Sequence, residues 1–199
     1  MNPLPESRFL TFDEESNALD YLEKAFFYIR EIDHDHAAWK WVILSLHGAI
    51  YGFAISACRG TNPDRVIYKT KKGQERLISF DAALKRYCDE NAMRMTVMSA
   101  HLVLTDGQKT ALRELNNTFR NTFAYFAPMS FHISLHELPG MCLECLPVIE
   151  FLALKTGNYS HLSLNEKERV SFIVHQLAHL LRSCLVYRES LAASPEQTV

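Results

Sequence analysis

Apolar residues recur at intervals of three and four along almost the whole chain, and this spacing points to helices throughout. Near the N-terminus Ala18, Leu22, Ala25, Phe26, Ile29 and Ile32 form one such stripe; near the C-terminus Val170, Ile173, Val174, Leu177, Leu181 and Leu185 form another. A stripe of this kind buries one face of a helix against its neighbours, so several in series specify a bundle. With 199 residues, no internal repeat and no interdomain linker, the chain reads as one domain over residues 11–190. Residues 1–10 and 191–199 read as flexible termini.

Local chemistry marks where the helices begin and end. Thr11 with Glu14, Thr105 with Gln108, and Ser163 with Glu166 have capping-box spacing, which satisfies free backbone donors in a first turn. The first helix is expected from Thr11, and the second from about Ala37 to Cys58, stopped by Gly60, Asn62 and Pro63. Arg65 to Ser79 predicts a β-hairpin turning at Gly73, and Ser79 then caps a third helix with Ala83, Leu84, Tyr87 and Cys88 inward. A fourth helix is expected over Asp106 to Phe126. A fifth covers about Met141 to Lys155, with Pro147 forcing a kink or a new start, and a sixth runs from Leu164 to Arg188. Phe131, Ile133 and Leu135 alternate with polar residues and predict a brief extended segment before Pro139 and Gly140. Residues 93–104 are apolar without a clean period and receive no element. The expected fold is all-α, about six helices with a small β-hairpin accessory.

Composition narrows the partners. A formal net charge of -2 gives no global attraction to nucleic acid, so such a partner must meet a local patch. Five cysteines (Cys58, Cys88, Cys142, Cys145 and Cys184) are an odd number lying mostly in apolar runs, which favours buried thiols in a reducing compartment. The most apolar window, Trp41 to Cys58, is shorter than the ~20 residues a bilayer needs and reads as a buried helix. The N-terminus carries neither a basic n-region nor an apolar h-region, so a cytoplasmic protein without a membrane partner is expected.

The most informative stretch is Leu112 to Phe126. Leu112, Leu115, Phe119, Phe123 and Phe126 bury one face of a helix and leave Arg120, Asn121 and Tyr125 off that stripe. The pattern resembles the signature helix of HEPN-like proteins, in which Arg, a polar residue, three further residues and His make a ribonuclease site. Two more segments are similar to uncharacterised bacterial proteins of HEPN-like character. One is Trp39-Lys-Trp-Val-Ile-Leu-Ser-Leu-His47-Gly-Ala-Ile-Tyr-Gly-Phe with the following Arg59-Gly-Thr-Asn; the other is Arg120-Asn-Thr-Phe-Ala-Tyr125-Phe126-Ala-Pro. The likeness spans residues 15 to 188.

The resemblance implies metal-independent chemistry in which the Arg stabilises a charged phosphorane and the His moves a proton. It also implies a homodimer, because two signature helices line a shared cleft in that family. Here Tyr125 stands where the family has His, and a phenol, with a reference pKa of ~10, offers almost no base at neutral pH. His132 lies beyond Pro128, outside the family's spacing, and is not assigned the role. The expected function is therefore a catalytically impaired HEPN-like module binding RNA, a nucleotide or a protein partner, in a defence or toxin–antitoxin-type role. Two alternatives stand beside it. One is an active metal-independent endoribonuclease using Arg120, Asn121 and Tyr125; the other is a structural interaction protein with a vestigial site, in which Arg120 pairs with an acidic neighbour.

Other constellations are weaker. The hairpin gathers Arg65, Tyr68, Lys69, Lys71, Lys72 and Arg76 against Asp64 and Glu75, a set able to contact RNA phosphates while the ring stacks; a solvated basic hairpin is the plainer reading. Cys142-x-x-Cys145 with His175-x-x-x-His179 has zinc-like spacing, but the cysteines sit among Met and Leu as core residues do, so no metal or other cofactor is expected. Asp33-His34-Asp35-His36 reads as a solvated connector, and His47 as a core histidine bonded to a neighbouring helix, with a place near the site as the second reading.

Overall fold

The apolar run after Trp39 folds as the longest of the described helices, α2 (Ala38–Arg59). The computed structural model describes residues 9–89, 100–125, 130–157 and 160–193. Trp39, Val42, Ile43, Leu46, Ala49, Ile50 and Phe53 are buried, at or near complete exclusion from solvent. The helix is long and apolar enough to cross a membrane, yet 72% of its most apolar window is buried inside the protein. Gly60 caps it with φ 52°, in the left-handed region that glycine adopts without a Cβ penalty.

Helix α1 (Glu14–Tyr28) packs along α2 more extensively than any other pair of described elements. Close approach depends on two glycines: a Cβ on Gly52 would lie 2.7 Å from the Cβ of Ala18, and one on Gly48 would lie 2.6 Å from the Tyr21 ring. A buried carboxylate also ties the pair. Glu15 accepts hydrogen bonds from the Ser56 hydroxyl at 2.5 Å and from the His161 backbone N–H at 2.6 Å. The expected cap at Thr11 is not the one used. Asp13 is the N-cap and makes a reciprocal box with Ser16, its carboxylate accepting the N–H of Ser16 in the first turn. Ile29 and Ile32 are buried, but in the turns after α1 rather than in the helix.

The hairpin forms as the spacing predicts. Strands β1 (Ile67–Lys69) and β2 (Glu75–Leu77) pair antiparallel with Tyr68 opposite Arg76, and Gly73 turns at φ 77°. Ser79 caps α3 (Phe80–Cys88), which rests on α2 through Phe80, Ala83, Leu84 and Tyr87. The segment left without an element lies mostly outside the described residues, although Leu102 is seen buried with its N–H bonded to the Tyr87 carbonyl.

The signature segment starts as α4 (Asp106–Arg113), capped by the expected Thr105–Gln108 box. It then widens into a π-helical stretch, Glu114–Arg120, and closes with one α-turn, α5 (Asn121–Ala124). Tyr125 therefore leaves the helix, with φ -109° and ψ 137°, one residue short of the predicted end at Phe126, which lies outside the described residues together with Pro128. Leu112, Leu115 and Phe119 are buried and Phe123 is half-buried, as the stripe requires.

The C-terminal half departs from expectation at several boundaries. Residues 130–134 form neither helix nor paired strand, with Ser134 extended, and the chain then passes through a 3-10 turn (Leu135–Glu137) into α6 (Leu138–Glu150). That helix begins before Met141, because Pro139 sits in its first turn, where its missing N–H costs nothing. Pro147 lies inside it and makes no new start, and a π-helical turn, Phe151–Lys155, completes the segment. The predicted sixth helix is two: α7 (Leu164–Ser183), capped by the Ser163–Glu166 box, and α8 (Leu185–Ala193), bent by 55°. Cys184 makes the break, with ψ 150° and its thiol donating to the Leu181 carbonyl. Helix α8 continues past residue 190; residues 1–8 and 194–199 lie outside the described residues. The described residues are thus mostly helical with one small two-stranded sheet.

Candidate functional site

A cleft of about 660 Å³ runs along the groove between α1 and α2 and is lined also by Arg120, Ala124 and Leu77 of the hairpin. The side chains of α1 that face it are Glu14, Asn17, Asp20, Tyr21, Lys24 and Tyr28. They recur at intervals of three and four on a face that flanks the buried stripe of Ala18, Leu22 and Ala25. From α2 come Trp41, Ser45, His47 and Tyr51. The resulting wall is aromatic: Tyr28 stacks on Trp41 with ring centroids 5.9 Å apart, and Tyr21 covers Gly48.

Arg120 is half-buried and held within its own segment. Its Nη1 donates to the Asn121 side-chain oxygen at 2.9 Å and to the Tyr125 hydroxyl at 3.1 Å, with its guanidinium 5.3 Å from the Tyr125 ring centre. The structure therefore brings Arg120, Asn121 and Tyr125 together, although Tyr125 is exposed and lies beyond the helix. Among the described residues no carboxylate comes within ion-pair distance of Arg120. The acids of the cleft are matched elsewhere: Glu14 pairs with Arg59 at 2.6 Å and Asp20 with Lys24 at 3.9 Å. A guanidinium without a countercharge beside an aromatic wall can take up an anion.

His47, half-buried, stands in the same cleft and bonds to a neighbouring element. Its Nε2 is 3.1 Å from Oδ1 of Asn116, on the neighbouring π-helical stretch, and its ring stacks on Phe80 at 4.6 Å. Asn116 in turn donates from Nδ2 to the Asp81 carboxylate at 3.1 Å. Burial pushes the imidazole below the ordinary histidine range. The Asn116 bond opposes that shift, the Arg120 charge adds to it, and Asp81 opposes it weakly. Asn116 and Asp81 were not singled out from sequence. The signal available was that Asn116 lies four residues before Arg120, on the same side of the segment.

The remaining candidates separate. Tyr68 and Arg76 share one face of the hairpin while Lys69 and Glu75 share the other, the latter pair 3.7 Å apart. Lys71, Lys72 and Tyr68 are exposed, whereas Arg65 is half-buried in a 3-10 turn (Pro63–Arg65) close to Gly60. The six residues do not form a single surface. Cys142 and Cys145 are fully buried; burial raises both thiols, Cys145 to about 12. His175 is exposed with Nδ1 2.8 Å from the Ser171 carbonyl, and no group of three metal-ligating side chains assembles among the described residues. Asp33 to His36 are exposed, and Asp35 accepts the Ala37 N–H. Tyr125 also borders a second, apolar cavity of about 400 Å³ lined by Trp39, Phe123 and Phe131. The chain matches no family model, no curated protein and no solved structure.

Proposed function

We propose that this chain is a HEPN-like module that binds single-stranded RNA in the cleft beside Arg120, with its chemistry along the signature helix impaired by tyrosine at position 125. The observation that carries the reading is the half-buried Arg120 guanidinium, without a carboxylate partner among the described residues, next to the wall of Tyr21, Tyr28 and Trp41. A phosphate meets the guanidinium, and an unpaired base meets an aromatic face. Stacking on a protein ring needs a base free of its duplex partner, so single strands are favoured. Exposed Lys71, Lys72 and Arg76 extend positive surface beyond Leu77, which borders the cleft. By the resemblance, the working unit is a homodimer and the setting a bacterial defence or toxin–antitoxin system.

Electrophoretic or anisotropy binding to single-stranded RNA at low and moderate salt tests this. Arg120→Ala is expected to weaken binding at least about tenfold and to flatten the salt dependence, as loss of a phosphate contact does. Absence of binding by the native chain would leave only a structural interaction protein. Light scattering at the mass of a 22.9 kDa monomer would remove the dimer.

A second reading, an active metal-independent endoribonuclease, is favoured by the 3.1 Å bond that sets the Tyr125 hydroxyl beside the Arg120 cation. It expects EDTA-resistant cleavage that disappears in Tyr125→Phe.

A further inference from the structure

We infer that His47 is a second ligand for the RNA phosphate at Arg120, and that seating the phosphate adds one proton to its imidazole. The inference rests on the RNA-binding reading above and concerns how that site is regulated.

Three features point to it. First, His47 and Arg120 come from elements far apart in sequence, yet both line the one cleft, so an anion at the guanidinium is also in the field of the imidazole. Second, the ring is held in one tautomer. Asn116 donates from its amide nitrogen to Asp81 and Asn117, each at 3.1 Å, which turns its oxygen toward His47. The neutral ring must then carry its hydrogen on Nε2 and keep a lone pair on Nδ1. Nδ1 has no hydrogen-bond partner among the described residues, so it is the atom that takes the proton. Protonation leaves the Asn116 bond intact and adds one donor.

Third, the charges around the ring favour the neutral form only while the cleft lacks an anion. Burial and the Arg120 cation disfavour the imidazolium; Asn116 and, behind it, Asp81 support it. On α1, Glu14 and Asp20 also face the cleft, but each is paired with a cation, Arg59 and Lys24, and Lys24 itself faces the cleft. Tyr21 on α1 and Tyr51 on the histidine's own helix complete the surroundings. A phosphodiester beside Arg120 cancels the guanidinium charge that disfavours the imidazolium and brings an acceptor oxygen within reach of the ring. The imidazolium then becomes the favoured form, and the Asp81–Asn116 chain supports it from behind.

If His47 served only to hold α2 to the π-helical stretch, its charge would not change on binding. Calorimetry of a uridine oligonucleotide binding to the native protein, with EDTA, in two buffers of different ionisation heat near neutral pH tests this. The expected result is a buffer-dependent heat corresponding to uptake approaching one proton, with affinity rising toward acid by up to about tenfold per pH unit. His47→Gln is expected to abolish both effects, while His175→Gln, outside the cleft, keeps them. Equal heats in the two buffers, or buffer dependence that survives in His47→Gln, would overturn the inference while leaving RNA binding intact. No binding at any pH would overturn both readings. Should His47→Gln fail to fold, the ring resonances of His47 in the native protein decide: their titration midpoint must rise when RNA is added, and an unmoved midpoint refutes the proposal.

Discussion

Alanine substitutions at Gly48 and Gly52, one turn apart on the same helix, should have different outcomes. At Gly52 the new Cβ would lie 2.7 Å from the Cβ of Ala18, 3.1 Å from the Glu14 carbonyl oxygen and 3.3 Å from the Ala18 Cα. All three atoms move only with the backbone of α1. Comfortable carbon contacts need ~3.5–4.0 Å, so α1 must retreat by roughly 1 Å along its main contact. Overpacking of this kind costs ~1–3 kcal/mol, and the obstacle here is backbone, which places it at the upper end. Replacing glycine by alanine inside a helix returns ~1 kcal/mol. The net expectation for Gly52→Ala is about 2 kcal/mol of destabilisation, or roughly 4–8 °C in Tm for a chain of this size. At Gly48 the three atoms nearest the new Cβ belong to the ring of Tyr21, at 2.6 to 2.7 Å, and that residue is 40% exposed, so a side chain and not a backbone has to move. Gly48→Ala should therefore be nearly neutral in stability, while displacing Tyr21 from the cleft wall and weakening RNA binding several-fold. Urea denaturation followed by circular dichroism measures both, with the midpoint shifting at constant m-value. If the two variants are equally destabilised, or Gly52→Ala is stabilised by its propensity, the reasoning from close approach is wrong.

Other outcomes follow from single contacts. The native chain should show RNA cleavage near background, since positioned acid–base catalysis contributes ~10²–10⁴-fold and phenols titrate near ~10; Tyr125→His should gain weak EDTA-resistant cleavage that Arg120→Ala removes. Because burial holds His47 below its unfolded value, the unfolded chain binds a proton first as pH falls. Stability should drop from about pH 6.5 downward until the folded-state pKa is passed, a step absent in His47→Gln. The capping carboxylates Asp13 and Glu166, lowered by their bonds to Ser16 and Ser163, should add a second loss below about pH 4. Glu15→Ala strands the Ser56 hydroxyl and the His161 N–H, so two bonds to a charged group, ~1.5–3 kcal/mol each, are lost; a change under about 1 kcal/mol in chemical denaturation would refute that role.

What the sequence by itself determined are the features that depend on neighbouring residues. The Thr105–Gln108 and Ser163–Glu166 caps, the hairpin turn at Gly73, the Ser79 start and the buried stripe of Leu112, Leu115 and Phe119 are each set within a few residues. Where two local solutions competed, the residue pattern alone left the choice open. Asp13 rather than Thr11 caps α1, Pro139 is taken into the first turn of α6, and Cys184 breaks a stripe that ran on in the sequence to Leu185. The candidate site shows the same division. Arg120, Asn121 and Tyr125 were legible because they lie within six residues of each other. His47 was legible only as a histidine in an apolar helix. Its tautomer, its Asp81–Asn116 support and its place beside Arg120 depend on residues 35 and 69 positions apart in the chain. Separations of that size are closed by packing α2 against α3 and the π-helical stretch, and no local period records which side chains will then face one another.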